Sequence, residues 1–439
     1  MTGCASGSRK PKHEHRRNAL IVGAGQAGVE LATALRAAGD DRPITMIGAE
    51  RHAPYQRPPL SKGFLKDPSD AGKLLLRDST WFAQQDITVA CGESVDGLVW
   101  ESDSAGKALT STGRKIGFAS LALATGATPR RLSLPGADLG GIHYLRSVED
   151  ARTLAQGLGQ SAKLVVIGGG FIGLEVAETA RQSGCRVTIL EAAHRLIGRA
   201  VCETTSTFYL QAVQRRGTKV RTGAEIAGFT GENGSVRSVQ VRDATGNLEE
   251  IAADLVLIGI GVVPETGLAE RLGLAVDNGV HVDERMVASD GRTVALGDMA
   301  NMPLPGGPRG DIERIRLESV PNAIEQARIA AATLMGGTES YSAVPWFWSD
   351  QGGIKLQIAG LSHGHDRTVL RGDPDSEKFC VLYYLREQLV AADCINNPRD
   401  FMAVKTALRT GVPLPPDVVW DVGVPLMEIV RGGQVAVSI

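Results

Sequence analysis

Gly23, Gly25 and Gly28 follow the apolar run Ala19-Leu-Ile-Val22, and Gly168, Gly170 and Gly173 follow Leu164-Val-Val-Ile167. Both sets have the spacing G-x-G-x-x-G and stand between a strand-like run and a helix-like segment. In that setting the first glycine makes the strand-to-helix turn. The second lets backbone approach a pyrophosphate, and the third lets helix and strand pack closely. The helix beginning there offers free N–H groups and the positive end of its dipole to the phosphates. Gln26 and Ala27 complete the first fingerprint, Phe171 and Ile172 the second. One fingerprint is a weak signal. Two, with Gly168 standing 145 positions after Gly23, point to two dinucleotides bound by one chain.

An acid about 20 residues beyond the glycines binds ribose hydroxyls. Glu191, ending Val187-Thr-Ile-Leu-Glu191, fills that slot for the second fingerprint. Its charge repels a 2′-phosphate and favours NADH over NADPH, while Arg195 and Arg199 are close enough to oppose that preference or are solvated charges. In the first unit the slot holds Gly48, so the nearest acid, Glu50, is assigned to the adenosine ribose. Asp298 closes Val294-Ala-Leu-Gly-Asp298. An acid at such a strand end can accept hydrogen bonds from ribityl hydroxyls, which only a flavin carries. The first cradle is therefore expected to hold FAD and the second the nicotinamide cofactor, the pairing of a flavin enzyme reduced by NADH.

The elements that must position these residues alternate strand, helix, strand, as in parallel doubly wound sheets. The predicted helices are Gln26–Ala38, Phe171–Ser183, Arg316–Thr333 and Pro398–Arg409. The expected fold class is α/β: two Rossmann-like dinucleotide-binding domains, the second inserted in the first, plus a C-terminal α+β domain. Residues 18–128 and 262–337 form the FAD-binding domain, 129–261 the NAD-binding domain, and 338–439 the C-terminal domain. Residues 1–17 are polar and basic and read as a disordered tail without a signal peptide. A formal net charge of −2 gives no general attraction to nucleic acid or an anionic membrane. No apolar run reaches the roughly 20 residues that span a bilayer. The six cysteines form no C-x-x-C pair, which indicates neither zinc nor a redox dithiol and suits a reducing cytoplasm. His363-Gly-His365 lacks further ligands and reads as surface, so no metal is expected.

The chain resembles the FAD-dependent ferredoxin reductases of bacterial oxygenase systems, members of the glutathione-reductase-like two-dinucleotide flavoproteins. The likeness runs from about Asn18 to the C-terminal helix. It is carried by Arg57-Pro-Pro-Leu-Ser-Lys62, Ala124-Thr-Gly-Ala-Thr-Pro-Arg130, Gly168-Gly-Gly-Phe-Ile-Gly-Leu-Glu175, Gly259-Ile-Gly-Val-Val-Pro264, Ala295-Leu-Gly-Asp298, Arg314-Ile-Arg-Leu-Glu-Ser319 and Pro345-Trp-Phe-Trp-Ser-Asp-Gln351. Departures are small: Pro321 where the family often has Gln, and Glu265 where Asn is common.

The resemblance implies roles. Lys62 resembles the lysine beside flavin N5, paired with Glu175 in the first turn of the second fingerprint helix. Arg57 and Arg130 resemble pyrophosphate and flavin-edge contacts. Ala124, Thr125 and Gly126 line the flavin, and Gly261 the nicotinamide. Glu318, Ser319 and Val320 begin a helix aimed at the flavin pyrimidine, and Trp348 or Trp346 covers the ring. The implied function is a ferredoxin reductase passing electrons from NADH through FAD to a two-iron two-sulfur ferredoxin that feeds a terminal oxygenase. Arg309, Arg314 and Arg316 are candidates for a basic patch that steers an acidic ferredoxin. The alternatives are a rubredoxin reductase and a signalling flavoprotein like apoptosis-inducing factor. A disulfide reductase is disfavoured, because Ala53-Pro-Tyr-Gln-Arg-Pro-Pro-Leu60 contains no cysteine. The sequence does not choose between monomer and dimer.

Overall fold

The computed structural model describes residues 18–243, 245–304 and 313–437, with backbone alone for the last four. The expected tail at 1–17 lies outside the described residues. The chain divides into two compact units.

One unit comprises the chain up to Gln56, Leu75–Ala127 and Pro264–Ser342. Its five-stranded sheet has the order Val294–Ala295, Ser120–Leu123, Ala19–Val22, Ile44–Gly48, Ile87–Cys91, all parallel. Every residue of Ala19–Val22 is buried, as a central strand covered on both faces requires. The edge strand Val294–Ala295 arrives only after the whole second fingerprint region. An antiparallel sheet, Val95–Ser102, Ala105–Thr110 and Lys115–Phe118, lies between the third and fourth parallel strands in sequence. The helix Gln26–Ala37 packs against Val320–Leu334. That second helix starts four residues later than the sequence suggests. Ser319 caps it, accepting a hydrogen bond from the Asn322 N–H at 3.2 Å, and Pro321 sits in its first turn. Arg314–Ile315 instead pairs with Ala300–Pro303 as a strand.

The other unit comprises Arg57–Leu74, Thr128–Val263 and Ala343–Ile439. Its parallel sheet has the order Lys219–Thr222, Arg186–Glu191, Lys163–Ile167, Leu255–Ile258, Ile142–His143. It too carries a three-stranded antiparallel sheet, Glu225–Glu232, Ser235–Arg242 and Leu248–Ala252. A third, antiparallel sheet has the order Trp346–Gln351, Ile354–Gly360, Gln388–Ile395, Lys378–Leu385, Arg367–Asp373. The strand Lys378–Leu385 reads Lys-Phe-Cys-Val-Leu-Tyr-Tyr-Leu and is buried from Phe379 to Tyr384. Phe379, Val381 and Tyr383 join the core of the nucleotide sheet, with Leu164, Leu174 and Phe208. Cys380, Leu382 and Tyr384 join a second core with Phe401, Val404 and Leu426. A strand covered on both sides needs a continuous apolar run, not alternation. The Pro398–Thr410 helix does not close the region: Pro416–Val419 and Leu426–Val437 follow. Among the described residues no helix is long and apolar enough to cross a membrane.

Asp393 is fully buried in this unit. Tyr383 donates its hydroxyl to the Asp393 carboxyl and accepts the Cys202 N–H at 2.8 Å. Burial pushes the Asp393 carboxyl up to about 7, the bond from Tyr383 drawing it only partly back. An acid whose native value exceeds its unfolded value keeps a proton that the unfolded chain has released. Its contribution to stability is therefore complete below about pH 4 and is lost as pH rises through about 7, by roughly 1.4 kcal/mol per pH unit within that window. Asp393→Asn should flatten this slope, as measured by urea unfolding at several pH values.

Candidate functional site

The two glycine cradles repeat one geometry. Gly23 has φ +120°, and a Cβ on it would lie 2.1 Å from the Ala124 carbonyl oxygen. Gly168 has φ +107°, with the corresponding approach, 2.3 Å, to the Gly259 oxygen. A Cβ on Gly28 would meet the Gly23 oxygen at 2.0 Å, and one on Gly173 the Gly168 oxygen at 2.1 Å. Around Gly25 and Gly170 a Cβ would meet nothing within 4 Å. The first and third glycines are thus packed against backbone, and the second faces open space. Both fingerprint helices also start without a side-chain cap or an acid in the first turn. Four other helices are capped by Asp78, Ser147, Ser319 and Asn397, and the uncapped helix Glu203–Arg215 carries an acid, Glu203, in its first turn. An uncapped dipole end above a bare glycine fits a pyrophosphate.

The acid slots differ by a steric exchange. In the first cradle a Cβ on Gly48 would lie 2.6 Å from the Ala24 Cβ. In the second, the residue matching Ala24 is Gly169, and Glu191 occupies the slot. Its carboxylate accepts the Gly169 N–H at 2.6 Å and the Ala193 N–H at 2.7 Å. Ala24 therefore excludes an acid at 48, and Glu50 stands two residues past the strand, half-buried, accepting the Tyr55 hydroxyl at 2.5 Å. Arg195 is committed to its own loop, donating to the Gly198 and Val201 carbonyls at 3.0 and 3.1 Å. Arg199 is exposed, its Nη2 3.6 Å from where a Cβ on Gly261 would stand.

The other residues assigned to the flavin fall in both units. In the first unit Gly297 (φ +79°) brings Gly297-Asp298 against the fingerprint helix, since a Cβ there would lie 2.9 Å from the Ala27 Cβ. The Gln326 side chain, fully buried, holds this turn by accepting the Gly297 N–H at 2.7 Å. Thr125 donates to the Glu265 carbonyl at 2.7 Å, and the Gly126 carbonyl accepts the Glu265 N–H at 2.9 Å. Glu318 pairs with Arg316 at 2.7 Å, and Val320 is the first residue after the Ser319 cap. Gly297-Asp298 is thus seated beside the first cradle.

In the second unit Lys62 Nζ lies 2.6 Å from Glu175 Oε2. Glu175 is 4% exposed and Lys62 28%. Ser61 donates to the same carboxylate oxygen at 2.5 Å, and Ser349 to Oε1 at 2.6 Å. Counted from Phe171, Glu175 lies beyond the first turn of its helix, which contains no acid. The dipole therefore does not hold it, and its donors do. Glu30, at the matching position of the first helix, bonds only Gln26 of its own helix among the described residues, at 2.9 Å. Ser61 and Ser349 were not singled out from sequence, although both sit inside the quoted motifs beside Lys62 and Trp348. Arg57 donates to the Arg146 carbonyl at 2.6 Å, and Arg130 is exposed, its N–H on the Gly261 carbonyl at 2.9 Å. Trp348 is half-buried with its ring 5.5 Å from Trp346, and the Phe171 ring lies tilted 4.5 Å from that of Phe347.

The basic patch is a correction. Arg314 donates to the Val282 and Asn301 carbonyls, and burial holds its guanidinium below the usual range. Arg316, 9% exposed, binds the Asp298 carbonyl at 2.8 Å as well as Glu318. Both are internal staples, and Arg309 lies outside the described residues. His365 bonds the Ser362 carbonyl at 2.7 Å and packs edge-on against Tyr383.

Residues 17–327 match the pyridine nucleotide-disulphide oxidoreductase family, and residues 346–430 match the reductase C-terminal family. Rhodocoxin reductase of Rhodococcus erythropolis is 41% identical over 402 residues, covering 92% of each chain. Putidaredoxin reductase of Pseudomonas putida is 38% identical over 426 residues, covering 96% of this chain and 98% of its own. The reductase in the crystal structure of a covalent putidaredoxin reductase–putidaredoxin complex superposes with a TM-score of 0.88 at 37% identity, covering 95% of this chain and 99% of that one. With two matched cradles, and with both domains spanned at these identities, the chain belongs to the pyridine nucleotide-disulphide oxidoreductase family, as an FAD-dependent oxidoreductase that uses NAD(P)H.

Proposed function

We propose that this chain is a ferredoxin reductase that draws electrons from NADH through FAD and delivers them to a two-iron two-sulfur ferredoxin serving a terminal oxygenase. The observation that carries the reading is the doubled cradle, with Asp298 beside the first and Glu191 in the second. When bound, the flavin supplies the conversion of a two-electron donor into two one-electron deliveries. The chain's residues do the rest. The first cradle and Asp298 hold the pyrophosphate and ribityl chain of FAD. The second cradle holds the pyrophosphate of NADH, and Glu191 keeps free lone pairs for its ribose. Lys62 presents a fixed ammonium to charge developing on the flavin, and Glu175 keeps it oriented. No thiol chemistry is assigned: Cys91, Cys185, Cys202, Cys380 and Cys394 form no disulfide, and burial raises the Cys185 and Cys394 thiols. Free thiols also suit the reducing cytoplasm.

The test is to purify the protein, record its spectrum, titrate it with NADH, and follow one-electron reduction of plant-type ferredoxin, Rieske-type ferredoxin and rubredoxin. Colourless protein that NADH leaves unchanged after flavin is supplied would end the reading; reduction of rubredoxin alone would replace the acceptor.

Cofactor choice is a separate expectation. The Glu191 carboxylate opposes a 2′-phosphate, so NADH should exceed NADPH in kcat/KM by at least about tenfold. Glu191→Ala should narrow that ratio by on the order of tenfold, mainly through KM. A wild-type preference for NADPH would assign the exposed Arg199 to the phosphate instead.

A further inference from the structure

We propose that Ser349 is a positioning residue of this reaction: its hydroxyl, oriented by Gln351, fixes the Glu175 carboxylate and through it Lys62. The inference rests on the reading that Lys62 acts on the flavin.

The Glu175 carboxylate meets three donors: Lys62 at 2.6 Å and Ser61 at 2.5 Å on Oε2, and Ser349 at 2.6 Å on Oε1. An ionised carboxylate only accepts, so a shell made of donors alone matches that form and fixes its rotation. The Oε2 side is secured by chain neighbours. Ser61 precedes Lys62, and its carbonyl accepts the Thr179 hydroxyl at 2.8 Å, one turn beyond Glu175. On the Oε1 side, Ser349 is the sole hydrogen-bond donor among the described residues.

Ser349 is itself 1% exposed and carries a single proton to give. Gln351 donates its amide to Ser349 Oγ at 3.3 Å. This occupies a lone pair on the oxygen and leaves the Ser349 proton for Glu175. The relay thus runs one way, from amide to hydroxyl to carboxylate. Without the hydroxyl, Oε1 would be buried with nothing to accept, a costly state for an anion. The carboxylate would then turn toward other donors and loosen its hold on Lys62. Trp348 and Ser349 are consecutive on one strand, so their side chains leave on opposite faces. The strand Trp346–Gln351 thereby ties the carboxylate to the aromatic cluster of its own sheet.

In the Ser349→Ala holoenzyme the limiting rate of flavin reduction by saturating NADH should fall roughly 5–30-fold, with the NADH Kd within about twofold of wild type. Trace acetylation by acetic anhydride, read by peptide mass spectrometry, should reach Lys62 faster relative to the exposed Lys66 and Lys73. Ser349→Thr should restore both. A rate within about twofold of wild type, unchanged Lys62 acetylation, or equal losses in Ser349→Thr overturns the proposal. Lys62→Met separates the failures. If its flavin is reduced at the wild-type rate, the role of Lys62 falls and the proposal with it. If Lys62→Met is slow and Ser349→Ala is not, the proposal alone falls.

Discussion

Gly28→Ala should purify colourless, whereas Gly173→Ala should purify yellow and resist bleaching by NADH. The added methyl would stand 2.0 Å from the Gly23 oxygen in the first variant and 2.1 Å from the Gly168 oxygen in the second. Neither neighbour is a side chain that can rotate away. Each belongs to the turn proposed to carry the phosphate-binding amides. The helix must move off the strand by more than an ångström, which withdraws its N-terminus from the pyrophosphate. Overpacking of this kind costs about 3 kcal/mol or more, which if taken wholly from binding is about a hundredfold in affinity. The measurements are the flavin-to-protein ratio from the visible spectrum and single-turnover reduction by NADH. Circular dichroism verifies that the sheets remain. Because the same lesion is placed in two cradles, exchanged phenotypes would exchange the cofactors between them, and two yellow, fully reducible variants would remove both fingerprints from binding.

Arg371→Met should be the most destabilising single change in the C-terminal domain. Arg371 is 3% exposed on the strand Arg367–Asp373. It pairs with Asp400 at 2.8 Å and donates to the carbonyls of Val419 and Val424 at 3.0 Å each, and to that of Asp421. One guanidinium thus holds the start of the Pro398–Thr410 helix and the whole turn from Pro416 to Val424. Its fork of donors suits this as no other side chain does. Methionine fills the volume but leaves Asp400 and three carbonyls short of donors. Breaking a buried pair from one side costs about 3–5 kcal/mol. The melting midpoint of the unit should fall by on the order of 10 °C. Arg371→Lys should recover only part, since one ammonium cannot reach four acceptors in three directions. A melt within about 2 °C of wild type for Arg371→Met would show that the turn is held by its apolar contacts instead.

The cradles were legible because each element of their signal is local. Apolar run, glycine spacing and following helix occupy fewer than twenty consecutive residues, and the two cradle helices, Gln26–Ala37 and Phe171–Gln182, each end one residue short of the expected bound. The helix Val320–Leu334 was misjudged at its start because Leu317 stands at helical spacing from Val320 and Ile324. Ser319 and Pro321 set the true boundary. The support of Lys62 was only half legible. Glu175 was marked by the family resemblance, but Ser349 lies 174 positions away, and nothing in a lone serine marks what a distant strand will touch. The arginine cluster was misread for the same reason. Three basic residues close in sequence look like a surface, and only the fold reveals that Arg314 and Arg316 turn inward onto carbonyls. Arg371 likewise appears in sequence as one more charge on an edge strand.

The nested connectivity bears on how the chain is made. Ser120–Leu123 waits for its outer neighbour, Val294–Ala295, while the entire Ile142–Ile258 sheet is being synthesised. On the ribosome the inserted parallel sheet can therefore pair its strands before its host does, although Phe379, Val381 and Tyr383 of its core are made later still. Meanwhile the host presents an unpaired apolar strand edge to its surroundings. Nascent chains arrested between Ile258 and Val294 are where chaperone dependence and misassembly should concentrate.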